Sequence, residues 1–270
     1  MQYLNVQPKQ LDIKDFTNRS AVENDCTILV KEDTTICMND KPILVYLKHA
    51  SSDLTDLWQT LESIKYTAGT RRGGLVTLSR IFGYSGKNTI RKLPCRAVSL
   101  AYESPMQNEV LKNYAVIAAD YYNKHNLELA ERHRLMTNEK VLPNYRLNSS
   151  MFTSGIVNYN NPLKYHFDTG NFTGCWSAMF TCKRDVRGGY LSCPELDISF
   201  ECENNSLLMF DGQALLHGVT PIKKLNEDAV RYTVVYYSLK GLWSCETPQE
   251  EIEKFRASRQ QIELSKKVKK

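Results

Sequence analysis

His166 and Asp168 stand one residue apart in Tyr165-His166-Phe167-Asp168. Side chains alternate faces along a β-strand, so residues at i and i+2 point to the same side. An imidazole and a carboxylate placed this way are two metal ligands with room for a third from another strand. His217, in Leu216-His217-Gly218-Val219-Thr220-Pro221, supplies that third ligand. Two imidazoles and one carboxylate on one face of an ion leave its other positions open to small ligands and O2. A short motif has a plainer reading as well, a hydrogen-bonded surface pair.

Arg231 shifts the balance. It heads Arg231-Tyr232-Thr233-Val234-Val235-Tyr236-Tyr237 and shares a face with Thr233, Val235 and Tyr237. A guanidinium on a largely apolar inward face needs an anionic partner, because a buried unpaired charge is costly. A ligand carboxylate gripped in bidentate fashion would serve, and so would an internal Asp or Glu.

Positioning these residues falls to a series of short β-type runs rich in aromatic and β-branched residues. They are Phe152–Asn160, Gly174–Cys182, Gly189–Cys193, Ile198–Cys202, Ser206–Phe210, Ala214–Val219 and Tyr232–Leu239. Gly, Pro, Asn and Asp punctuate them, which predicts a sandwich or barrel. Ahead of them, Thr27–Lys31 and Ile43–Leu47 read as strands. An amphipathic helix then carries Leu54, Leu57, Trp58, Leu61 and Ile64, with Ser51, Ser52 and Asp53 as capping oxygens. Ser104-Pro105-Met106-Gln107 reads as a capping box opening a long helix toward Met136. Its predicted stripe is Val110, Tyr114, Ile117, Ala118 and Tyr121, and His125 and His133 are expected on its exposed side. Thr247-Pro248-Gln249-Glu250 opens a C-terminal helix that ends in a lysine tail.

Thr67 to Pro94 shows no clear period and reads as a long basic loop. Long loops inside domains are usually functional or disordered. Arg72, Arg80 and Lys87 could meet phosphates, and Phe82 and Tyr84 could stack on bases. The alternative is a solvated loop with its two aromatics tucked into the core.

The chain has 270 residues, 42% of them hydrophobic, and a formal net charge of +5. That permits nucleic-acid binding without demanding it. No segment approaches a membrane span. The first residues lack a basic region followed by an apolar block, which predicts no secretory signal. The eight cysteines are scattered with no Cys-x-x-Cys pair. They are read as reduced thiols in an intracellular, cytosolic or nuclear protein that is not secreted, and a structural zinc site is not expected.

The order His-x-Asp, His, then Arg-x-Thr on the following strand resembles that of Fe(II)- and 2-oxoglutarate-dependent dioxygenases. Further stretches are similar to the TET/JBP branch, which oxidises the 5-methyl group of pyrimidines in nucleic acid. These include Val157-Asn158-Tyr159-Asn160, Gly188-Gly189-Tyr190-Leu191, Leu207–Gly212, Arg72-Gly73-Gly74 and Ser79–Tyr84. The resemblance covers about Lys65 to Cys245, without a cysteine-rich zinc-binding extension.

The resemblance implies an α+β fold, a double-stranded β-helix (jelly-roll, cupin-like) core with flanking helices. It implies an N-terminal part at 1–66, a dioxygenase domain at 67–245 and a C-terminal helix and tail at 246–270. His166, Asp168 and His217 would ligate Fe(II), and Arg231 with Thr233 would hold 2-oxoglutarate, the cosubstrate consumed with O2. The implied reaction oxidises a pyrimidine in DNA, with 5-methylcytosine the favoured target and thymine the second candidate, to a 5-hydroxymethyl or further oxidised product, with succinate and CO2. The DNA would be double-stranded with the base flipped out, or single-stranded. Asn158 and Asn160 are candidates for reading the base, or for satisfying a turn. No membrane or obligate protein partner is expected. A dioxygenase of protein side chains or small molecules, and a non-catalytic jelly-roll binding module, are the alternatives.

Overall fold

The strand Val230–Tyr237 runs through the middle of the molecule, and its alternation sets the layers. Arg231, Thr233, Val235 and Tyr237 face a cavity between two sheets. Tyr232, Val234 and Tyr236 face the other way, into the core under the helices. A computed structural model describes residues 1–50, 53–70 and 76–268.

The larger sheet has ten strands. In order they are Gln2–Asn5, Thr34–Met38, Lys41–Leu47, Ser206–Phe210, Ser177–Arg184, Val230–Tyr237, Ser154–Tyr159, Val76–Ser85 and Thr67–Thr70, with Arg96–Ala97 paired off Val76–Ser85. The smaller sheet runs Ile28–Val30, Ile198–Phe200, Leu191–Cys193, His217–Val219 and Leu163–His166. Val186–Gly188 and Ile222–Lys224 form a separate two-stranded ribbon. Two facing sheets with flanking helices make up the double-stranded β-helix expected of the sequence.

Two apolar layers hold the arrangement. Between the sheets lie Ile36, Leu44, Tyr46, Met179, Leu208 and Phe210. Outside the large sheet, the helices Thr55–Ser63 and Pro105–His125 press Leu57, Leu61, Leu111 and Tyr122 onto Phe82, Phe180, Val234 and Tyr236. Each large side chain buried fully here contributes roughly 1.5–3 kcal/mol. The N-terminal strands belong to these same sheets, since Ile28–Val30 pairs with Ile198–Phe200 and Lys41–Leu47 with Ser206–Phe210. Among the described residues no helix is long and apolar enough to cross a membrane.

The structure corrects several expectations. The stretch read as a loop is largely strand: Thr67–Thr70 pairs with Val76–Ser85, which pairs in turn with Ser154–Tyr159. Its alternation was masked by the polar Ser79 and Arg80; Ser79 pairs through its backbone with both neighbouring strands, and Arg80 reaches Ser99 and Glu103. The long helix breaks at Asn126, whose extended backbone starts a second helix, Leu127–Lys140, and whose side chain caps Leu129 N–H. Tyr114 and Ala118 of the expected stripe are buried, but the rest of the buried face is Asn108, Leu111, Ala115, Ala119 and Tyr122 in place of Val110, Ile117 and Tyr121, a face on which small alanines let the helix lie close. Ser104 makes no side-chain cap, and the Gln107 amide instead donates to Ser63 Oγ. His133 is buried, not exposed, with its Nε2 2.8 Å from Ser238 Oγ. Cys95 and Cys245 form a disulfide, while the other six cysteines are free and buried as expected. The two partners lie too far apart in sequence for spacing to reveal them.

The C-terminal capping box is present as read. Thr247 N–H donates to Glu250 Oε2 at 3.0 Å, and Glu250 N–H donates back to Thr247 Oγ1 at 3.4 Å.

Candidate active site

Leu163–His166 and His217–Val219 pair antiparallel with His217 directly opposite His166. Their ring centroids are 4.4 Å apart. The strand ends at His166, so Asp168 is not aligned by strand alternation. The irregular segment just past the strand carries it, and its backbone N–H donates to Gly212 O at 2.8 Å. That anchor brings Asp168 Oδ1 to 3.8 Å from His166 Nε2 and 3.9 Å from His217 Nε2. One ligand atom from each residue lies within 4.8 Å of the others.

Backbone carbonyls set both tautomers. His166 Nδ1 lies 2.8 Å from Lys164 O, and His217 Nδ1 lies 2.9 Å from Leu215 O. A carbonyl oxygen only accepts, so each Nδ1 carries a proton and each ring turns its Nε2 toward Asp168. Carbonyl partners of this kind orient metal-binding histidines. Gly212 makes room for the carboxylate, since a Cβ there would sit 2.3 Å from Asp168 Oδ2.

Arg231 lines the same cavity, of about 290 Å³, as these three residues. It is 2% exposed, and its Nε and Nη2 are without hydrogen-bond partners. Among the described residues no carboxylate forms an ion pair with it; its polar neighbour is the Cys202 thiol. Burial pushes its pKa down, yet a guanidinium remains a cation. Of the two partners open to Arg231 in the sequence, the internal salt bridge is therefore absent. A cation desolvated without a counter-ion costs several kcal/mol. An anionic ligand in the cavity would remove that cost, and a volume near the lower end of small-ligand sites suits a short dicarboxylate. Gly189, at φ +68°, lets the side chain through: a Cβ there would lie 2.9 Å from Arg231 Cδ and Nε.

Thr233 and Asn158 also line the cavity, and Asn158 Nδ2 donates to Thr233 Oγ1 at 3.2 Å. Asn160 has the turn role that the sequence left open. At φ +49° its side chain accepts the Arg231 N–H at 2.8 Å, while its own N–H donates to Arg231 O. It clamps the backbone that presents Arg231 and is not among the residues that line the cavity. Asn161, missed in the sequence, bonds both backbone groups of Leu78. Gly189 and Gly212 stand in the sequence as parts of motifs. Their signal, a glycine within or beside a motif, is visible but does not say which side chain it makes room for.

The predicted nucleic-acid contacts mostly fall away. Arg80 is 7% exposed and engages Ser99 and Glu103. Phe82 is fully buried edge-on against Tyr236, and half-buried Tyr84 packs on Tyr145. Lys87 is exposed but pairs with Glu251 at 3.1 Å. These cations do have acidic neighbours, brought from distant parts of the chain. Arg72 lies outside the described residues.

Comparison with known proteins agrees with this geometry. The Tet_JBP family, the oxygenase domain of the 2OGFeDO superfamily, matches residues 79–240. Two bifunctional helicase and thymine dioxygenase JBP2 proteins match over 122 residues. The one from Trypanosoma cruzi (strain CL Brener) is 29% identical over 45% of this chain, and the one from Trypanosoma brucei brucei (strain 927/4 GUTat10.1) is 30% identical over 44%. The matched segment is 11% of each relative's length. Among solved structures, NgTET1 in complex with 5mC DNA superposes with a TM-score of 0.61 at 18% identity, covering 87% of this chain and 89% of that one. At that identity the likeness is one of fold.

Proposed function

The chain belongs to the Tet_JBP oxygenase family, and from that premise we propose that it is an Fe(II)- and 2-oxoglutarate-dependent dioxygenase that oxidises the 5-methyl group of a pyrimidine in DNA. The superfamily uses Fe(II), 2-oxoglutarate and O2. His166, Asp168 and His217 hold the iron, and Arg231, beside Thr233, pairs with the far carboxylate of 2-oxoglutarate. When bound, Fe(II), 2-oxoglutarate and O2 would supply the oxidising chemistry, with one oxygen atom going to the substrate methyl and the other to succinate as CO2 is lost.

The protein's share is geometry. The two carbonyl-held imidazoles keep their Nε2 atoms aimed inward. Met179, Leu191, Phe210 and Val219 wall the cavity with apolar groups that exclude water. A methyl group in a base stack cannot enter such a cavity, so the base arrives flipped out or single-stranded. Asn158, on the cavity wall with an amide that both donates and accepts, is the residue best placed to meet its polar edge. A DNA-modifying enzyme of this kind works inside the cell.

The observation that carries the reading is the buried, carboxylate-free Arg231 in one cavity with the His166, Asp168 and His217 cluster. On the target base, NgTET1 was solved with 5mC DNA and the JBP2 relatives are thymine dioxygenases. Thymine therefore stands level with 5-methylcytosine. The test is nucleoside analysis of otherwise identical duplexes carrying 5-methylcytosine or thymine, after incubation with protein, Fe(II) and 2-oxoglutarate, with succinate measured alongside. Hydroxymethylated nucleoside with stoichiometric succinate is the expected result. Succinate stimulated by peptides or free metabolites but not by DNA overturns the DNA reading. No succinate above the level of His217→Ala overturns the enzyme reading.

A further inference from the structure

One exposed feature has no role in the cavity. The segment Asn88–Leu93 is a tight hairpin closed by two backbone hydrogen bonds, Asn88 N–H to Leu93 O and Leu93 N–H to Asn88 O, both 2.9 Å. Asn88 Oδ1 also accepts the Arg91 N–H at 2.8 Å, which fixes the turn from inside. At its tip Ile90 is 94% exposed, between the exposed Thr89 and Arg91. Arg91 and Lys92 beside it are exposed, and neither forms an ion pair among the described residues.

The base of this hairpin is braced on several sides. Cys95 is bonded to Cys245, and Lys87 pairs with the buried Glu251. Gly86 approaches Gly241 so closely that a Cβ would fall 2.3 Å from Gly241 O. The same contacts tie the hairpin to the ligand end of the barrel. Gly241 follows Lys240, whose N–H donates to Gly170 O, two residues beyond Asp168. Asn171 bridges to Leu239 in the same place.

A lone isoleucine in water needs no explanation. A nearly bare isoleucine at the tip of a rigid turn, flanked by two unpaired cations and joined to the active-site rim, is a different object. Apolar wedges of this size enter base steps and partly unstack them, while adjacent cations meet the phosphates. Resting on the DNA reading above, we propose that Ile90 is a wedge that inserts into the duplex beside the target nucleotide, with Arg91 and Lys92 on the flanking phosphates. The wedge would fill the gap that an extruded base leaves and so favour the flipped state. Single-stranded DNA, with no stack to open, would not need it.

The test uses the full chain with two oligonucleotides of one sequence, single-stranded and duplex, each carrying one target base next to 2-aminopurine. Ile90→Ala should lower duplex turnover by about tenfold or more, because the gap left by the extruded base then goes unfilled. It should also abolish the 2-aminopurine fluorescence rise on binding. Turnover of the single strand and DNA-independent succinate formation should stay within about twofold of wild type, because Ile90 touches neither cavity nor core. Ile90→Phe should restore duplex turnover. Equal loss on both strands, or no loss on the duplex, overturns the wedge while leaving the DNA reading standing. If the wild type makes succinate but neither binds nor oxidises either oligonucleotide, the DNA reading fails and the wedge with it. Binding of the wild type to anionic phospholipid vesicles that Ile90→Ala removes, with no change on DNA, would assign the tip to a lipid surface instead.

Discussion

Gly212 touches Asp168 more closely than any side chain could allow, so Gly212→Ala must push the carboxylate out of its place between the two imidazoles. Fe(II) affinity should fall about 10- to 100-fold, the usual cost of disturbing the support of a metal ligand. Calorimetric titration with Fe(II) under anaerobic conditions checks it, and unchanged affinity would mean that Asp168 is not a ligand. Arg231→Ala should raise the 2-oxoglutarate concentration needed for half-maximal turnover by about 10- to 1,000-fold with little change in iron affinity. The same variant has a second signature. Removing a buried cation that lacks a counter-ion relieves a desolvation cost, so the ligand-free variant should melt no lower than wild type. A clear drop in Tm would reveal a structural ion pair and refute the cosubstrate role.

At the scale of elements, the helix Leu127–Lys140 is pinned to the end of the central strand through His133. The Ser238 hydroxyl donates to Met151 O, so it accepts from His133 Nε2–H and leaves Nδ1 buried without a partner. Burial accordingly pushes the His133 pKa down to about 3. The unfolded chain takes up that proton near pH 6.5 and the folded one does not. The contribution of neutral His133 is thus fully present above about pH 6.5 and is lost as pH falls toward 3, by about 1.4 kcal/mol per pH unit. Urea denaturation across that range should show the slope, and His133→Gln should flatten it. A second element-level contact is Gly155, where the strand Ser154–Tyr159 crosses the Phe82 ring. A Cβ there would lie 2.0 Å from the ring, so Gly155→Ala should cost about 1–3 kcal/mol by overpacking, read as a lower urea midpoint.

Across the whole molecule, the Cys95–Cys245 bond closes a loop of 150 residues that encompasses most of the barrel. Cross-links of this kind stabilise by about 2–4 kcal/mol, largely by restricting the unfolded chain. Cys245→Ser, or reductant, should lower Tm while leaving Fe(II) binding intact, because His166 and His217 are held by strand pairing and Asp168 by its bond to Gly212 O, away from the disulfide. Equal melting of oxidised and reduced protein would show that the packing of Tyr145, Phe172 and Leu242 around the pair already fixes the geometry. The bond also bears on compartment, since an oxidised pair in a reducing cell is maintained only if it is protected from exchange. Cys95 is buried, which limits that exchange.

The jelly-roll core and the three residues that cluster as candidate ligands were legible in the residues alone because both are local patterns. His166 and Asp168 are neighbours in sequence, and the strand period places Arg231, Thr233, Val235 and Tyr237 on one face whatever surrounds them. Burial and pairing were not legible, because distant parts of the chain decide them. Arg80 and Lys87 read as free cations until Glu103 and Glu251 were brought beside them. Phe82 and Tyr84 read as loop aromatics until a sheet edge formed under them, and Cys95 read as a free thiol until Cys245 met it. The same logic isolates Arg231 and Ile90. Sequence shows a cation and an isoleucine; only the tertiary structure leaves the first buried without a carboxylate and the second bare at the tip of a braced turn. A side chain's chemistry is set by its type, and whether that chemistry is already satisfied is set by its neighbours in space.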